Sequence, residues 1–383
     1  MVHIDRTLYQ PVKDKIISSD KITIIYGPRQ VGKTTLAHRI LQDIPLRKLA
    51  INADQQQYVD VLSSRDLARM KLLIEGYELL FIDEAQRIPD IGINLKLLHD
   101  SLPQLKIVAT GSSSFDLANQ VKEPLTGRTW TFTLFPIALR ELSNRYNIFE
   151  LEQSLAEYLV YGTYPEVFSL PNRRDKIQYL TELCSSYLYK DILEISSIRH
   201  ASKIRDLLRL LAFQVGSQVS LSELGTALSM SKETVTSYID LLEQSFIVFR
   251  LPGFSRNLRK EVTKMDKIYF YDLGVRNTII NQLNTLERRD DQGILWENMM
   301  IVERKKKLAY DGIYGGSYFW RTYTGAELDY VEERDGKLYG YEFKYGKRKA
   351  KAPQSWHDSY PGASYQCVSQ DSFSSFAIKE MAL

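Results

Sequence analysis

Residues 27–34 read GPRQVGKT and fit the pattern GxxxxGK[ST] at every fixed position. The pattern follows the β-branched run KITIIYG and precedes apolar residues at helical spacing, which predicts a strand, a glycine loop and a helix. Such a loop points backbone N–H groups and a helix N-terminus at phosphate oxygens. We therefore expect ATP to be bound by the residues of this loop and of the helix start, namely Gly27, Pro28, Arg29, Gln30, Val31, Gly32, Lys33, Thr34 and Thr35.

Two polar residues of the loop and two acids elsewhere have separate expected tasks. Lys33 would reach the β and γ phosphates, and the Thr34 hydroxyl would ligate Mg²⁺. The run YELLFIDEAQ at 77–86 predicts an apolar strand that ends in Asp83 and Glu84. Asp83 would then lie near Mg²⁺, and Glu84 would act as the base that activates water. These residues together predict ATP hydrolysis that depends on Mg²⁺.

A third predicted strand, QLKIVAT at 104–110, ends in the polar residues GSSS. Hydroxyl groups at this place suit the sensing of the γ phosphate or of the attacking water. Ser112 is our candidate and Thr110 its alternative, while a serine-rich helix cap would give the same pattern. In LTGRTWTFTLF, at 125–135, Arg128 precedes another strand. It is a candidate arginine finger for a neighbouring subunit, although a plain surface arginine fits the spacing equally well.

The composition predicts a soluble globular protein. A length of 383 residues, 44% hydrophobic and 25% charged, predicts two or three domains. We expect the cytoplasm, because no apolar run approaches the roughly 20 residues of a membrane span and the first residues lack a signal-peptide core. Cys184 and Cys367 lack metal-binding spacing and are expected to be packed thiols. The net charge of +3 does not by itself indicate nucleic acid, but basic residues cluster at 256–260, 304–307 and 344–351.

The motifs GPRQVGKTT, LLFIDEAQ, VATGSSS and LTGR together resemble the AAA-type ATPase core of the additional-strand P-loop class. With YGTYPEV at 161–167, YLYKDI at 187–192 and KIYFYDLGVRN at 267–277, the chain resembles a prokaryotic ATP-binding family whose C-terminal region is a domain of unknown function. The resemblance implies a parallel sheet of five strands in the order 5-1-4-3-2, followed by a helical lid. It also implies a ring-like oligomer, in which Arg128 would act in trans.

The stretch at 220–254 predicts a helix-turn-helix. Ser220 and Glu223 form a capping box, and a break at 229–231 leads into a second helix that has its apolar residues on one face. A strand and a basic loop follow, as in a winged helix. In such a module the second helix would contact DNA bases and the wing would contact phosphates, through Lys232, Thr236, Arg256, Arg259 and Lys260. Glu233 is unfavourable beside DNA, and winged helices also bind proteins, so both alternatives stand.

The C-terminal region places acidic residues and a lysine on successive predicted elements. A predicted helix carries Glu297, a strand carries Asp329, and a strand after the turn Asp335-Gly336 carries Glu342 and Lys344. Glu342 and Lys344 share one face of their strand, and Asp329 on the preceding strand can meet them. This order resembles that of a restriction-endonuclease-like PD-(D/E)xK domain.

This arrangement would suit a metal-dependent nuclease. Glu297, Asp329 and Glu342 would hold Mg²⁺, and Lys344 would orient or activate water. The basic run with Lys347, Arg348 and Lys349 would contact the phosphate backbone. The same domain can bind DNA or protein without cutting it, and charged strands with alternating acids and lysines are common.

We therefore predict four parts for this α/β chain. They are an AAA-type P-loop ATPase core (1–145), a helical lid (146–212), a winged helix-turn-helix (213–262) and a nuclease-like domain (263–383). The predicted function is ATP hydrolysis coupled to binding or remodelling DNA, with branched DNA as one candidate substrate and with or without cleavage. The alternative is an ATP-dependent signalling switch whose C-terminal half recognises a protein partner. The two differ in whether DNA stimulates ATP turnover and in the salt dependence of binding.

Overall fold

Five parallel strands form the N-terminal sheet of the computed structural model, which describes residues 4–112, 125–188, 201–256, 265–347 and 349–379. Their order across the sheet is β2-β3-β4-β1-β5. This confirms the order 5-1-4-3-2 that the resemblance implies. The strands are β1 (Ile22–Gly27), β2 (Lys48–Asn52), β3 (Leu79–Asp83), β4 (Lys106–Ser112) and β5 (Thr129–Thr133).

Helices cover both faces of this sheet, as a fully parallel sheet requires. The three central strands, β1, β3 and β4, are mostly buried, and separate hydrophobic clusters form on the two faces. The helices of this part are α1 (Tyr9–Ser18), α2 (Lys33–Gln42), α3 (Gln56–Leu62), α4 (Leu67–Ile74) and α5 (Ile91–Ser101).

The middle of the described chain is helical and ends in a short antiparallel ribbon. The helices are α6 (Leu139–Leu142), α7 (Ile148–Tyr161), α8 (Arg173–Glu182), α9 (Ala201–Phe213), α10 (Leu221–Leu228) and α11 (Lys232–Gln244). The strands β6 (Val248–Leu251) and β7 (Lys267–Phe270) then pair, and α12 (Leu273–Ile279) follows. Ser220 caps α10 by accepting from the Glu223 amide, and Ser231 caps α11 by accepting from the Thr234 amide.

A second sheet, in the order β11-β10-β9-β8, forms the C-terminal part. Its first three strands in the chain are antiparallel, whereas β11 runs parallel to β10. The elements are α13 (Gln292–Tyr310), β8 (Gly316–Arg321), β9 (Glu327–Arg334), β10 (Lys337–Phe343), α14 (Gln354–Ser359), β11 (Ser364–Val368) and α15 (Phe373–Ala377). Asp335 and Gly336 both have positive φ, at 50° and 73°, and this confirms the tight hairpin predicted between β9 and β10.

The basic cluster at 304–307 lies inside the molecule and not on its surface. Arg304, Lys306 and Lys307 are at most 3% exposed on the buried helix α13. The Arg304 guanidinium forms a double hydrogen bond with the Glu332 carboxylate on β9, at 2.5 and 3.0 Å. Lys306 donates to Glu303 at 2.6 Å. The charge pattern alone was therefore misleading, because these cations bind internal partners and are not available to a phosphate backbone.

One hydrophobic cluster runs through the predicted parts of the chain. It begins with residues beside one face of the N-terminal sheet, continues through the middle helices and ends beside the C-terminal sheet. Cys184 belongs to it, and burial raises the pKa of its thiol to about 12, so the prediction of a packed thiol is confirmed for this residue. Within the described ranges, no helix is long and apolar enough to cross a membrane.

Replacing Glu332 with Ala should lower the free energy of unfolding by about 3–5 kcal/mol, because it removes the carboxylate that balances the buried charge of the Arg304 guanidinium. Urea denaturation measures this effect. The matched control is Glu333→Ala, since the neighbouring carboxylate pairs with Arg256 at the surface and should contribute no more than about 1 kcal/mol. Equal losses in the two variants would contradict the buried pairing of Arg304.

Candidate functional site

The loop between β1 and α2 has the backbone shape that its sequence pattern predicts. Gly27 and Gly32 have φ of +147° and +92°, and Gln30 also has positive φ. A Cβ atom on Gly27 would lie 2.0 Å from the carbonyl oxygen of Leu134, so the loop cannot accept a larger residue there. The loop thus delivers the chain into the N-terminus of α2, where anions bind.

Lys33 is buried beneath this loop, with 5% of its surface exposed. Its ammonium group donates to the carbonyl oxygens of Gly27 and Pro28, each at 2.8 Å. These bonds hold the cation at the loop, which is where the sequence analysis expects it to meet phosphate.

Thr34, in the first turn of α2, and Asp83, the last residue of β3, face each other. The Thr34 hydroxyl oxygen lies 3.0 Å from both oxygens of the Asp83 carboxylate. The hydroxyl of Thr110, at the end of β4, donates to the same carboxylate. A hydroxyl and a carboxylate are hard oxygen donors of the type that Mg²⁺ prefers, so the donor set fits the predicted ion.

Glu84 directly follows Asp83. Its carboxylate is held by Gln86, a residue for which no role was predicted from the sequence. The side-chain amide of Gln86 donates to the Glu84 carboxylate and, at 2.9 Å, to the hydroxyl oxygen of Ser112. The structure thus joins Glu84 and Ser112 through Gln86, and it places Thr110 beside Asp83. The only sequence signal for Gln86 was its position two residues after the acid.

Arg128 lies at the other end of the sheet from the loop. It directly precedes β5, where Thr129 pairs with Ile22 at the start of β1, whereas Gly27 is at the end of β1. Its guanidinium group pairs with Asp100 at 2.8 Å and holds the pKa of that carboxyl at about 2. Arg128 therefore does not reach the loop of its own chain, and a finger role would require a second subunit.

A cavity of about 120 Å³ lies beside the loop. Its lining comes from the N-terminal segment, from the loop and α2, from the chain after β5 and from the segment after α7, and includes Ile4, Tyr9, Val31, Leu36, Ile137 and Pro165. This cavity could not be identified from the sequence, because its walls come from four separated segments.

Four acidic side chains meet at the C-terminal sheet, and we call them the carboxylate cluster: Glu297, Glu327, Asp329 and Glu342. Two of them have partners on β7 that the sequence analysis missed. The Lys267 ammonium lies 2.6 Å from Glu327 and 3.6 Å from Glu297, and the Tyr269 hydroxyl donates to Glu297 at 2.6 Å. Burial, together with the Glu297 and Glu342 carboxylates, raises the pKa of Asp329 to about 8.

The other two acids of the cluster also have donors. The Phe343 amide donates to Asp329 at 2.8 Å, and Lys344 donates to Glu342 at 2.6 Å. Among the described residues, no three His, Cys, Asp or Glu side chains are grouped so that they could hold a metal ion. The predicted Mg²⁺ ligands at this sheet are therefore neighbours, but they do not form a ready metal site.

The residues predicted to contact DNA are spread over three places. Lys232 is exposed at the start of α11, while the Thr236 hydroxyl bonds back to the Lys232 carbonyl oxygen at 2.9 Å. Arg256 pairs with Glu333 at 2.8 Å, and Lys347 and Lys349 are exposed after β10. Arg259, Lys260 and Arg348 lie outside the described residues.

Three family matches divide the chain. Residues 19–143 match the family described as "AAA domain", residues 152–286 match "Domain of unknown function (DUF8612)", and residues 292–379 match "Domain of unknown function (DUF4143)". The first match agrees with the geometry of the glycine loop and of Asp83. The N-terminal part is therefore similar in sequence to AAA domains.

The relatives have no stated function. An uncharacterized protein of Mycobacterium tuberculosis is 29% identical over 328 residues, which are 84% of this chain and 70% of the relative. An uncharacterized protein of Methanocaldococcus jannaschii is 24% identical over 321 residues, which are 79% of this chain and 70% of the relative. AMPPCP-bound DnaA from Aquifex aeolicus is 17% identical over 64% of this chain and 89% of that one, with a TM-score of 0.28. A TM-score this low does not establish a shared fold or function.

Replacing Asp329 with Asn should change how stability depends on pH. The unfolded Asp has a pKa of about 3.9, and the native one has a pKa of about 8. Between these values the native state binds a proton that the unfolded state has lost, so wild-type stability falls as the pH rises through this window. In buffer with chelator, the Tm of the wild type should fall relative to that of Asp329→Asn as the pH rises through this window. A Tm difference between the two proteins that does not depend on pH would contradict this.

Proposed function

We propose that the protein is a Mg²⁺-dependent ATPase whose nucleotide state controls binding or remodelling of DNA by its C-terminal half. The observation that carries the ATPase part is the meeting of the Thr34 hydroxyl, the Asp83 carboxylate and the Thr110 hydroxyl at one edge of the parallel sheet. These groups converge beside a glycine loop that has the phosphate-binding shape.

The side chains around the loop divide the work of hydrolysis. Lys33 stabilises charge on the β and γ phosphates, and Mg²⁺, when bound, neutralises charge on the phosphate oxygens. Thr34 and Asp83 would hold that ion. Glu84 accepts a proton from the attacking water, and Gln86 fixes the direction of the Glu84 carboxylate through its bond to Ser112.

The cavity beside the loop is the proposed site of the adenine base. Its apolar walls include Ile4, Val31 and Ile137, and its position next to Gly32 suits a base whose phosphates lie on the loop. Because the walls come from the core and from the chain after α7, a bound nucleotide would contact both. This gives the nucleotide a means of acting on the proposed lid.

The same region connects to the C-terminal half through buried hydrogen bonds. Arg6 donates to the carbonyl oxygens of Val31, in the loop, and of Phe135, just after β5. The Phe135 amide in turn donates to the hydroxyl oxygen of Tyr310, near the end of α13. A continuous set of polar contacts therefore connects the loop to the buried helix α13.

Two further contacts attach α13 to the segment after β5. The Leu139 amide donates to Glu303 at 2.7 Å, and Lys306 donates to the Ile137 carbonyl oxygen at 3.0 Å. The other end of α13 carries Glu297 of the carboxylate cluster, about 9 Å along the helix from Glu303 at 1.5 Å per residue. We propose that α13 transmits the nucleotide state to the C-terminal sheet.

The DNA part of the proposal rests on the exposed cations. We interpret α10, α11 and the β6–β7 ribbon as a winged helix-turn-helix, and the C-terminal sheet with α13 as restriction-endonuclease-like. Lys232 at the exposed start of α11, and Lys347 and Lys349 after β10, supply positive charge for a phosphate backbone. Arg128 would complete the ATP site of a neighbouring copy in a ring-like oligomer.

A signalling switch that binds a protein partner is the second candidate. The observation that favours it is the burial of residues 304–307, which removes one of the three basic clusters from any DNA surface. Glu233, exposed beside Lys232, also reduces the positive charge at the start of α11.

Glu84→Gln should lower kcat for ATP by about 10²–10⁴-fold while nucleotide binding persists, because the general base is lost. Gln86→Ala should lower kcat less and leave KM nearly unchanged, since Gln86 only orients Glu84. Steady-state phosphate release measures both effects. The neighbouring variant Arg87→Ala, which removes a surface pair with Asp54, should keep the wild-type rate. Phosphate release that is equally absent in the wild type and in Glu84→Gln would mean that nucleotide is bound without turnover, whereas an unchanged, measurable rate would mean that Glu84 is not the base.

DNA should stimulate ATP turnover, and its binding should weaken steeply with salt. Each phosphate contact that is removed should reduce the slope of log K against log salt by about 0.9, so the double variant Lys232→Glu/Lys347→Glu should reduce it by nearly twice that. Fluorescence anisotropy with duplex, single-stranded and four-way-junction DNA measures the slope. Lys71→Glu, on an exposed face of α4, is the control. Absence of both DNA binding and stimulation would favour the signalling switch.

A further inference from the structure

Lys267 is a buried cation among the acids of the carboxylate cluster. It is 3% exposed, and its ammonium group lies 2.6 Å from Glu327 and 3.6 Å from Glu297. The three residues belong to three different elements, β7, α13 and β9, which the fold brings together. Nothing in the ATPase mechanism or in the predicted nuclease mechanism uses this lysine.

We infer that the Lys267 ammonium group is the resident cation of the carboxylate cluster, and that the cluster takes up no divalent metal ion while Lys267 is present. A buried carboxylate needs a partner of opposite charge or a hydrogen-bond donor. Lys267 supplies that charge from within the chain. A metal ion would have to enter beside a buried positive charge of like sign, which opposes its binding.

The remaining contacts of the cluster support this inference. Each acid already has a partner in the protein. Glu327 forms an ion pair with Lys267, and the others accept hydrogen bonds: Glu297 from Tyr269, Asp329 from the Phe343 amide and Glu342 from Lys344. Each of these donors contacts one oxygen of its carboxylate, so a metal ion would have to compete with a donor at every acid of the cluster. This agrees with the finding that, in the described part of the chain, no three such side chains are grouped for a metal ion.

Backbone pairing on both sides of β7 holds Lys267 in place beside the carboxylate cluster. It pairs with Leu251 on one side of β7 and bridges to Gln218 on the other. Its ammonium group lies 5.4 Å from the centre of the Phe319 ring, which adds a cation–π contact. Because the lysine is fixed in this way, the C-terminal sheet would bind a ligand without metal-dependent cleavage. The inference depends neither on ATP hydrolysis nor on DNA binding.

The test is a titration of the full chain with Mn²⁺, without nucleotide, followed by electron paramagnetic resonance of the free ion. Wild type and Asp329→Asn should bind the same number of Mn²⁺ ions. Lys267→Met, a neutral side chain of similar length, should bind one more ion. That extra ion should be lost in Lys267→Met/Asp329→Asn.

Two results would overturn the inference. One is Mn²⁺ binding by the wild type that Asp329→Asn abolishes, since the cluster would then hold metal beside Lys267. The other is a folded Lys267→Met variant that binds no additional ion, since Lys267 would then not be the group that excludes metal. Circular dichroism checks that each variant is folded. If Lys267→Met does not fold, the comparison of wild type with Asp329→Asn still decides the matter.

Discussion

The helix α13 is the element on which the C-terminal half depends, because it must bury charged side chains and still find a partner for each. Arg304 reaches Glu332 on β9, while Glu303 and Lys306 reach backbone groups of the segment after β5. A buried charge without a partner would be costly, so these contacts constrain how the helix can lie. They also place one rigid helix against the nucleotide-binding core at one end and against the carboxylate cluster near the other.

The two acidic sites of the chain handle their charge in different ways. At the proposed ATP site, Asp83 accepts from the hydroxyls of Thr34 and Thr110, which are neutral donors beside the glycine loop. At the C-terminal sheet, Glu327 meets the buried cation Lys267 instead. Neutral hydroxyls leave the negative charge available to Mg²⁺, whereas an internal lysine compensates it. Acidic side chains are thus expected to bind metal at the first site and to exclude it at the second.

The positive φ angles of the glycine loop and the meeting of Thr34 with Asp83 agree with what the sequence predicts, because both follow from local motifs at strand ends. The β9–β10 hairpin was predictable for the same reason, since two adjacent residues with positive φ define its turn. The burial of residues 304–307 was not predictable, because it depends on Glu332 and on the segment after β5, far away in the chain. Lys267 escaped notice for this reason as well, as its partners come from other elements.

The central claim, that the nucleotide state reaches the C-terminal sheet through α13, can be tested by hydrogen–deuterium exchange. The measurement compares Glu84→Gln with and without ATP and Mg²⁺, and follows the amides of residues 292–310. If α13 transmits the nucleotide state, exchange should change along α13, including its first turns near Glu297, as well as at the loop of residues 27–34. A change confined to the loop and to the segments around the adjacent cavity would contradict transmission through α13.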